Sequence, residues 1–294
     1  MFPKVPDQHK NGKPLIPNGL GVLYVLFVAV YLFLLYFLGI GSVSFGISAP
    51  LTLAVCILFG GFMGLLDDWM DLKWRYKAFM PLIAALPLIY FAMDMNARTS
   101  ITLPFIGFVD FGVWYFYLII PLIVMIVTNT FNMLGGFNGL ESLCPAIVLL
   151  GLMSISALTA PYYLLMTGPI IFWLILTALN LRGKIFVGNS GSFAIGMTIA
   201  SFAIIADVKL SLIISIIPYI FNSSLILLTV FFTHKKALIT LKDNKLESNH
   251  KRSLVTLLTY RRPLTERKIV AIVSIIVAVF TLIAVIYSFI SILG

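Results

Sequence analysis

Residues 20–40 read LGVLYVLFVAVYLFLLYFLGI and residues 48–66 read SAPLTLAVCILFGGFMGLL. Both lie inside a run of 53 residues, 14–66, that contains no Asp, Glu, Lys or Arg. A bilayer span needs about 20 predominantly apolar residues, so this run holds two membrane helices. The whole chain agrees with that reading. Its 294 residues are 61% hydrophobic and 11% charged, with a mean hydropathy of +1.07, whereas a soluble domain is about 45–50% apolar and about 25% charged. A cytosolic enzyme, a disordered tail and a nucleic-acid-binding domain are excluded. Lipid cannot satisfy exposed backbone polar groups, so the spans must be helical. The expected fold is an all-α polytopic membrane protein.

Cutting the sequence at charges and turn residues gives nine spans, roughly 20–40, 48–66, 78–93, 111–131, 142–158, 161–181, 190–206, 210–232 and 269–292. With the N-terminus in the cytoplasm, the inner loops are 1–19, 67–77, 132–141, 182–189 and 233–268. Those loops hold 18 of the 20 Lys and Arg residues, leaving only Arg98 and Lys209 outside. The positive-inside rule fixes the orientation, and the C-terminus is expected on the external side. Residues 1–294 read as one integral membrane domain with a cytoplasmic N-terminal segment, 1–19, and a long basic loop, 233–268. Net charge is +9. The two cysteines, Cys56 and Cys144, sit in apolar runs and imply neither a disulfide framework nor a thiolate metal site. Met1 to Pro17 is polar and lacks a signal-peptide pattern.

Four polar clusters, at 67–77, 129–141, 182–192 and 233–252, fall on the same inner face. Asp67 and Asp68 end the second span beside Lys73, Arg75 and Lys77, with Asp71 just beyond. Adjacent carboxylates at a membrane edge repel each other and lose hydration, which makes them functional candidates; a solvated helix end paired with Lys73 is the plain alternative. Magnesium takes oxygen ligands, typically one or two carboxylates plus substrate phosphates. Asn129 and Asn132 share a helical face at i,i+3 spacing, and the glycines of Gly135-Gly136-Phe137-Asn138-Gly139-Leu140-Glu141 permit close backbone approach. Asparagine at a helix end can equally be a simple cap. Gly188-Asn189-Ser190-Gly191-Ser192 opens a helix and offers free N–H groups to an anion. Singly these signals are weak; together they describe magnesium, phosphate and a substrate at the bilayer surface.

These residues resemble the polyprenyl-phosphate N-acetylhexosamine-1-phosphate transferases, a glycosyltransferase 4 type family. The run Gly64-Leu65-Leu66-Asp67-Asp68 through Lys77 looks like the family's paired-aspartate motif. Asn129-Thr-Phe-Asn132 through Asn138-Gly-Leu-Glu141 looks like the motif of the archaeal and eukaryotic branch, which uses UDP-N-acetylglucosamine and dolichyl phosphate. Phe186-Val187-Gly188 matches the family's Phe-Val-Gly, and weaker likenesses reach Asp7 to Lys10, Ile16-Pro17, Lys245 to Glu247 and Pro263 to Arg267. The resemblance implies that Asp67 and Asp68 are the catalytic acidic pair and that Lys77 contacts the lipid phosphate. It implies Asn132 as a magnesium ligand (manganese being the alternative ion), with Asn138 and Phe186 on the uracil ring. Pro6, Asp7, Gln8 and Asn18 fall where the N-terminal loop meets the nucleotide. His234, Lys235 and Lys236 fall in the loop that grips the pyrophosphate. Asn129 and Glu141 belong to the substrate motif.

Three departures stand out. The family's second metal ligand is an Asp after Phe-Val-Gly, and here that position is Asn189. The pyrophosphate loop has lysines where the family presents arginines flanking a histidine, and lysine cannot reproduce a bidentate fork. Relatives have ten spans and nine are counted here, so either the chain starts late or it lacks the helix before Asp7. The expected activity is transfer of N-acetylglucosamine 1-phosphate from UDP-N-acetylglucosamine to a polyprenyl phosphate with release of UMP. Expected partners are those two substrates and the membrane, with a homodimer as the alternative to a single copy and no nucleic acid. The alternatives are a binding-only relative, impaired by Asn189 and the missing arginines, and a transporter. Transporter sites usually lie near the midplane of repeated halves, not at one edge.

Overall fold

The computed structural model describes residues 2–41, 47–103, 107–159, 162–233 and 238–293. Among the described residues, helices lie at each of the nine places where a span is expected. α1 (Gly21–Phe37) and α2 (Ala49–Met70) come first. The third is broken into α3 (Trp74–Ala84) and α4 (Leu86–Asp94). A π-helical turn, Tyr115–Ile119, leads into α5 (Ile120–Met133). Then follow α6 (Leu140–Thr159), α7 (Tyr163–Leu181) and α8 (Gly188–Ile205). The eighth consists of α9 (Lys209–Ser215) and α10 (Ile217–Thr233), bent by 57°. A short α11 (Leu254–Leu258) precedes the last span, α12 (Glu266–Leu293).

Among the described residues, seven helical segments are long and apolar enough to cross a membrane, or eight counting the bent pair. α1 falls just short because it has 17 residues, about 26 Å at 1.5 Å per residue, against a hydrocarbon core of about 30 Å. The breaks have local causes: Pro81 and Pro87 flank the kink after α3, and Pro218 follows the bend at Ile216, each ring removing a helix hydrogen bond.

Helix α8 is the axis of the bundle, with 89% of its span buried inside the protein. Its small residues, Gly191, Ala194, Gly196, Ala200 and Ser201, let neighbouring backbones approach, which is how helices pack in lipid. Gly64 of α2 shows how close: a Cβ there would lie 2.2 Å from the Asn189 carbonyl oxygen. The outer faces of the other helices expose Phe37, Ile83, Ile275 and similar residues to the lipid.

Outside the membrane the chain adds what the span pattern did not predict, three two-stranded antiparallel hairpins. β1 (Lys4–Pro6) pairs with β2 (Leu15–Pro17), β3 (Ser100–Leu103) with β4 (Gly107–Asp110), and β5 (Thr240–Lys242) with β6 (Lys245–Glu247). The two basic residues left outside by the charge rule are both paired on the far face. Arg98 meets Asp207 at 3.2 Å, and Lys209, only 2% exposed, meets Asp207 at 2.7 Å and donates to the Arg98 carbonyl at 2.6 Å.

Candidate functional site

The near face is assembled from four separate segments. The 1–19 segment docks through β2: Phe186 N–H donates to the Pro17 carbonyl at 2.8 Å and Gly21 N–H to the Val187 carbonyl at 2.9 Å. This brings Pro6, Gln8 and Asn18 together with Asp68, Asn132, Glu141, Phe186 and Asn189 around a pocket of about 280 Å³. Eight of the residues singled out from sequence thus line one cavity. Gly135 and Gly136, expected to allow close approach, are on its wall as well.

The two aspartates do different things. Asp67 is 3% exposed and its Oδ1 accepts from Lys77 Nζ at 2.7 Å and from Leu72 N–H at 3.0 Å. Its Oδ2 is buried with no hydrogen-bond partner among the described residues, and an orphaned buried acceptor calls for a ligand or proton. Asp68 is saturated instead. Its Oδ1 accepts from Asn189 N–H and its Oδ2 from Ser190 N–H, both at 2.9 Å. The free amides at the start of α8, expected to take a substrate anion, are therefore filled by the chain's own carboxylate, which also suits the positive end of the helix. Gly188 makes room for it: its φ is +73° and a Cβ would lie 2.9 Å from Asp68 Oδ2.

Asp71 ends α2 in the left-handed region at φ 46°, fully exposed, and lies 3.6 Å from Lys77. Lys77, rather than Lys73, pairs with Asp67 and Asp71. Asn129 lies off the pocket wall; its Nδ2 donates to the Met125 and Ala78 carbonyls at 2.8 and 3.3 Å and ties α5 to α3. Asn138 and Asp7 are also behind the wall, bonded to each other at 2.7 Å. His234, Lys235 and Lys236 lie outside the described residues.

Asn132 and Asn189 both line the pocket, and among the described residues neither side-chain amide makes a hydrogen bond. With the Asp68 carboxylate on the same lining they present hard oxygen donors, the ligand chemistry of magnesium. Those residues fit such an ion.

Several contributing residues carried too little sequence signal to be picked out. Asn180, fully buried in α7, donates Nδ2 to Glu141 Oε1 at 2.9 Å and accepts from Gly139 N–H at 2.7 Å, fixing the Glu141 carboxylate toward Val187 N–H at 3.0 Å. A lone Asn near the end of an apolar span was its only signal. His9 lines the pocket and stacks flat on Phe137, 4.1 Å between ring centres. Burial lowers its pKa below the ordinary 6.5 although the Glu266 and Asp7 carboxylates pull the other way. Burial works to raise the Asp7 pKa, but Lys10 at 2.9 Å, Asn138 and the His9 N–H outweigh it and hold the carboxyl below its usual value. Asp7, His9 and Glu266 have ligand atoms within 4.8 Å of one another. Their carboxylates are already committed to Lys10 and Asn138, so this group is held together without a metal. A larger cavity, about 480 Å³, opens between Leu238 and Arg261 in the long loop and takes in Glu247 of the weaker likeness, but none of the residues to which the resemblance gives a role.

Fold and site define a polytopic membrane protein with an oxygen-rich polar centre at one edge of the bilayer. A family model described as glycosyl transferase family 4 matches residues 50–207, more than half of the chain, and the chain belongs to that family. It is 36% identical over 181 residues to a Saccharolobus solfataricus protein provisionally named UDP-N-acetylglucosamine–dolichyl-phosphate N-acetylglucosaminephosphotransferase, covering 58% of this chain and 53% of that one. The Saccharomyces cerevisiae protein of the same name is 26% identical over 265 residues, 74% of this chain and 58% of that one. A phospho-N-acetylmuramoyl-pentapeptide-transferase of Kosmotoga olearia is 31% identical over 217 residues, 68% and 63% of the two chains. The aligned segments span about half to two thirds of these relatives.

Proposed function

We propose that this protein transfers N-acetylglucosamine 1-phosphate from UDP-N-acetylglucosamine to a polyprenyl phosphate of the dolichyl type, releasing UMP, as a first step of lipid-linked glycan assembly. The observation that carries this reading is the pairing of Lys77 with a buried, half-satisfied Asp67 beside an oxygen-lined pocket at the bilayer edge. The names of the archaeal and yeast relatives support the same substrates.

In this reaction an oxygen of the lipid phosphate attacks the sugar-linked phosphorus of the donor. The bond from that phosphorus to UMP breaks, and UMP leaves with the electron pair. The attacking monoester, with a second pKa near 6, is mostly a dianion at neutral pH, so it needs alignment and charge neutralisation more than a base. Lys77 supplies a cation at the membrane edge where the lipid phosphate arrives. Asp67 holds Lys77 in place with Oδ1 and keeps Oδ2 for a residual acceptor proton. Asp68 holds the start of α8, and with it Asn189, against the pocket. Phe186 and the Gly135–Gly136 wall enclose the nucleotide. Magnesium, held by Asn132 and Asn189, would supply charge neutralisation at the pyrophosphate.

The site faces the cytoplasm in this reading, because 18 of the 20 basic residues lie on its side of the membrane and basic loops stay inside. The test is direct. Purified protein incubated with UDP-N-acetylglucosamine, magnesium and dolichyl phosphate should yield dolichyl-pyrophosphate N-acetylglucosamine by mass spectrometry. No lipid product from this donor, with product from another UDP-N-acetylhexosamine, overturns the donor assignment.

A further inference from the structure

A carboxylate in the first turn of a helix ordinarily serves its own helix by opposing the partial positive charge of the N-terminus. Glu266, the first residue of α12, reaches instead to another segment. Its Oε1 accepts both donors of Asn138, the backbone N–H at 2.9 Å and Nδ2 at 3.0 Å. Asn138 Nδ2 also donates to Asp7 Oδ2 at 2.7 Å. The orientation of this amide is therefore fixed, since the reverse flip would set a carbonyl oxygen against two carboxylates.

Asn138 sits in a segment that needs holding. Gly136 and Gly139 on either side have φ values of +93° and +99°, and glycine leaves the free chain the most conformations to lose. Gly135, Gly136 and Glu141 of this segment line the pocket, and so do Pro6 and Gln8 on either side of Asp7. The chain Glu266–Asn138–Asp7 thus ties these two lining segments together.

We propose that Glu266 is a positioning residue for the nucleotide donor, setting the width of the pocket through Asn138 without touching the ligand. The inference rests on the donor reading above. Two conservative substitutions separate it from a helix-end role. Glu266→Gln keeps an oxygen at the same reach and removes the charge; Glu266→Asp keeps the charge and withdraws the oxygen by one carbon. If Glu266 positions the pocket, Glu266→Gln binds UDP-N-acetylglucosamine within about twofold of wild type, while Glu266→Asp weakens binding and raises the donor KM about tenfold, with kcat little changed in both. Titration calorimetry of UDP-N-acetylglucosamine into each full-length protein, with steady-state kinetics, reads this out. The opposite order, or wild-type binding by Glu266→Asp, overturns the inference alone. Failure of the wild type itself to bind UDP-N-acetylglucosamine overturns the donor reading and this inference with it.

Discussion

Lys77 and Asp67 meet at 2.7 Å across the break between α2 and α3, and the second oxygen of Asp67 is left buried without a partner. In the proposed reading that leaves Asp67 Oδ2 for a proton, whereas both oxygens of its neighbour Asp68 accept backbone N–H groups. Asp67→Asn should lower turnover at least about a hundredfold, the scale of a lost proton-transfer group. The folded protein should persist, because the amide still offers Lys77 a carbonyl oxygen. Turnover near the wild-type value would remove Asp67 from the reaction.

Asp68 should respond differently because it caps α8 through two backbone N–H groups. Asp68→Ala strands both donors, and losing such a cap costs about 1 kcal/mol or more. The melting temperature in detergent should fall for Asp68→Ala and stay near the wild-type value for Asp67→Asn, although both lose activity. Equal melting of the two variants would argue against this division of labour.

The bundle was largely legible because its physics is local: 20-residue apolar stretches and basic loops can be counted, and the helices lie where the counting puts them. The pocket was legible where polar residues interrupt an apolar pattern, as at Asp68, Asn132 and Asn189. What escaped was pairwise. Nothing local announces that Asp68 will fill the start of α8, that Asn129 will spend its amide on Ala78, or that Glu266 will hold Asn138 from 128 residues away. Those bonds follow from how the helices cross, which no single segment encodes.

In the proposed reading Asn189 would hold the magnesium ion with a neutral amide, where the resemblance implies a charged Asp. A formal charge lost beside a divalent ion weakens its binding, although the donor pyrophosphate supplies much of the attraction. Asn189→Asp should therefore lower the magnesium concentration at half-maximal activity, and Asn189→Ala should nearly abolish activity. A magnesium titration of the three proteins checks this. An Ala variant behaving like wild type would exclude residue 189 as a ligand, and turnover by the Asp variant alone would mark the native protein as impaired.

His9 gives the N-terminal segment a pH dependence of definite sign. Its folded pKa lies below the ordinary 6.5 because the ring is buried, so the unfolded chain binds the proton more readily. Its contribution to stability is complete above 6.5 and is lost as pH falls through that value toward the folded pKa. Between about pH 8 and about pH 5.5 the melting temperature of the wild type should drop, and His9→Phe, which can keep the stack on Phe137, should flatten the drop. An unchanged pH profile in His9→Phe would contradict the assignment.

Sidedness can be read by labelling. Asn244 lies between β5 and β6 on the basic side, and Asn96 follows α4 on the opposite side. In intact cells an impermeant maleimide should label Asn96→Cys and spare Asn244→Cys. The reverse pattern would invert the topology.

The central claim, transfer of a phosphosugar rather than a sugar, is tested most directly by the fate of one phosphorus atom. Supplied with UDP-N-acetylglucosamine radiolabelled at the sugar-linked phosphate, with dolichyl phosphate and magnesium, the protein should move the label into the lipid phase in step with UMP release. Label remaining in water as UDP while N-acetylglucosamine enters the lipid would contradict it.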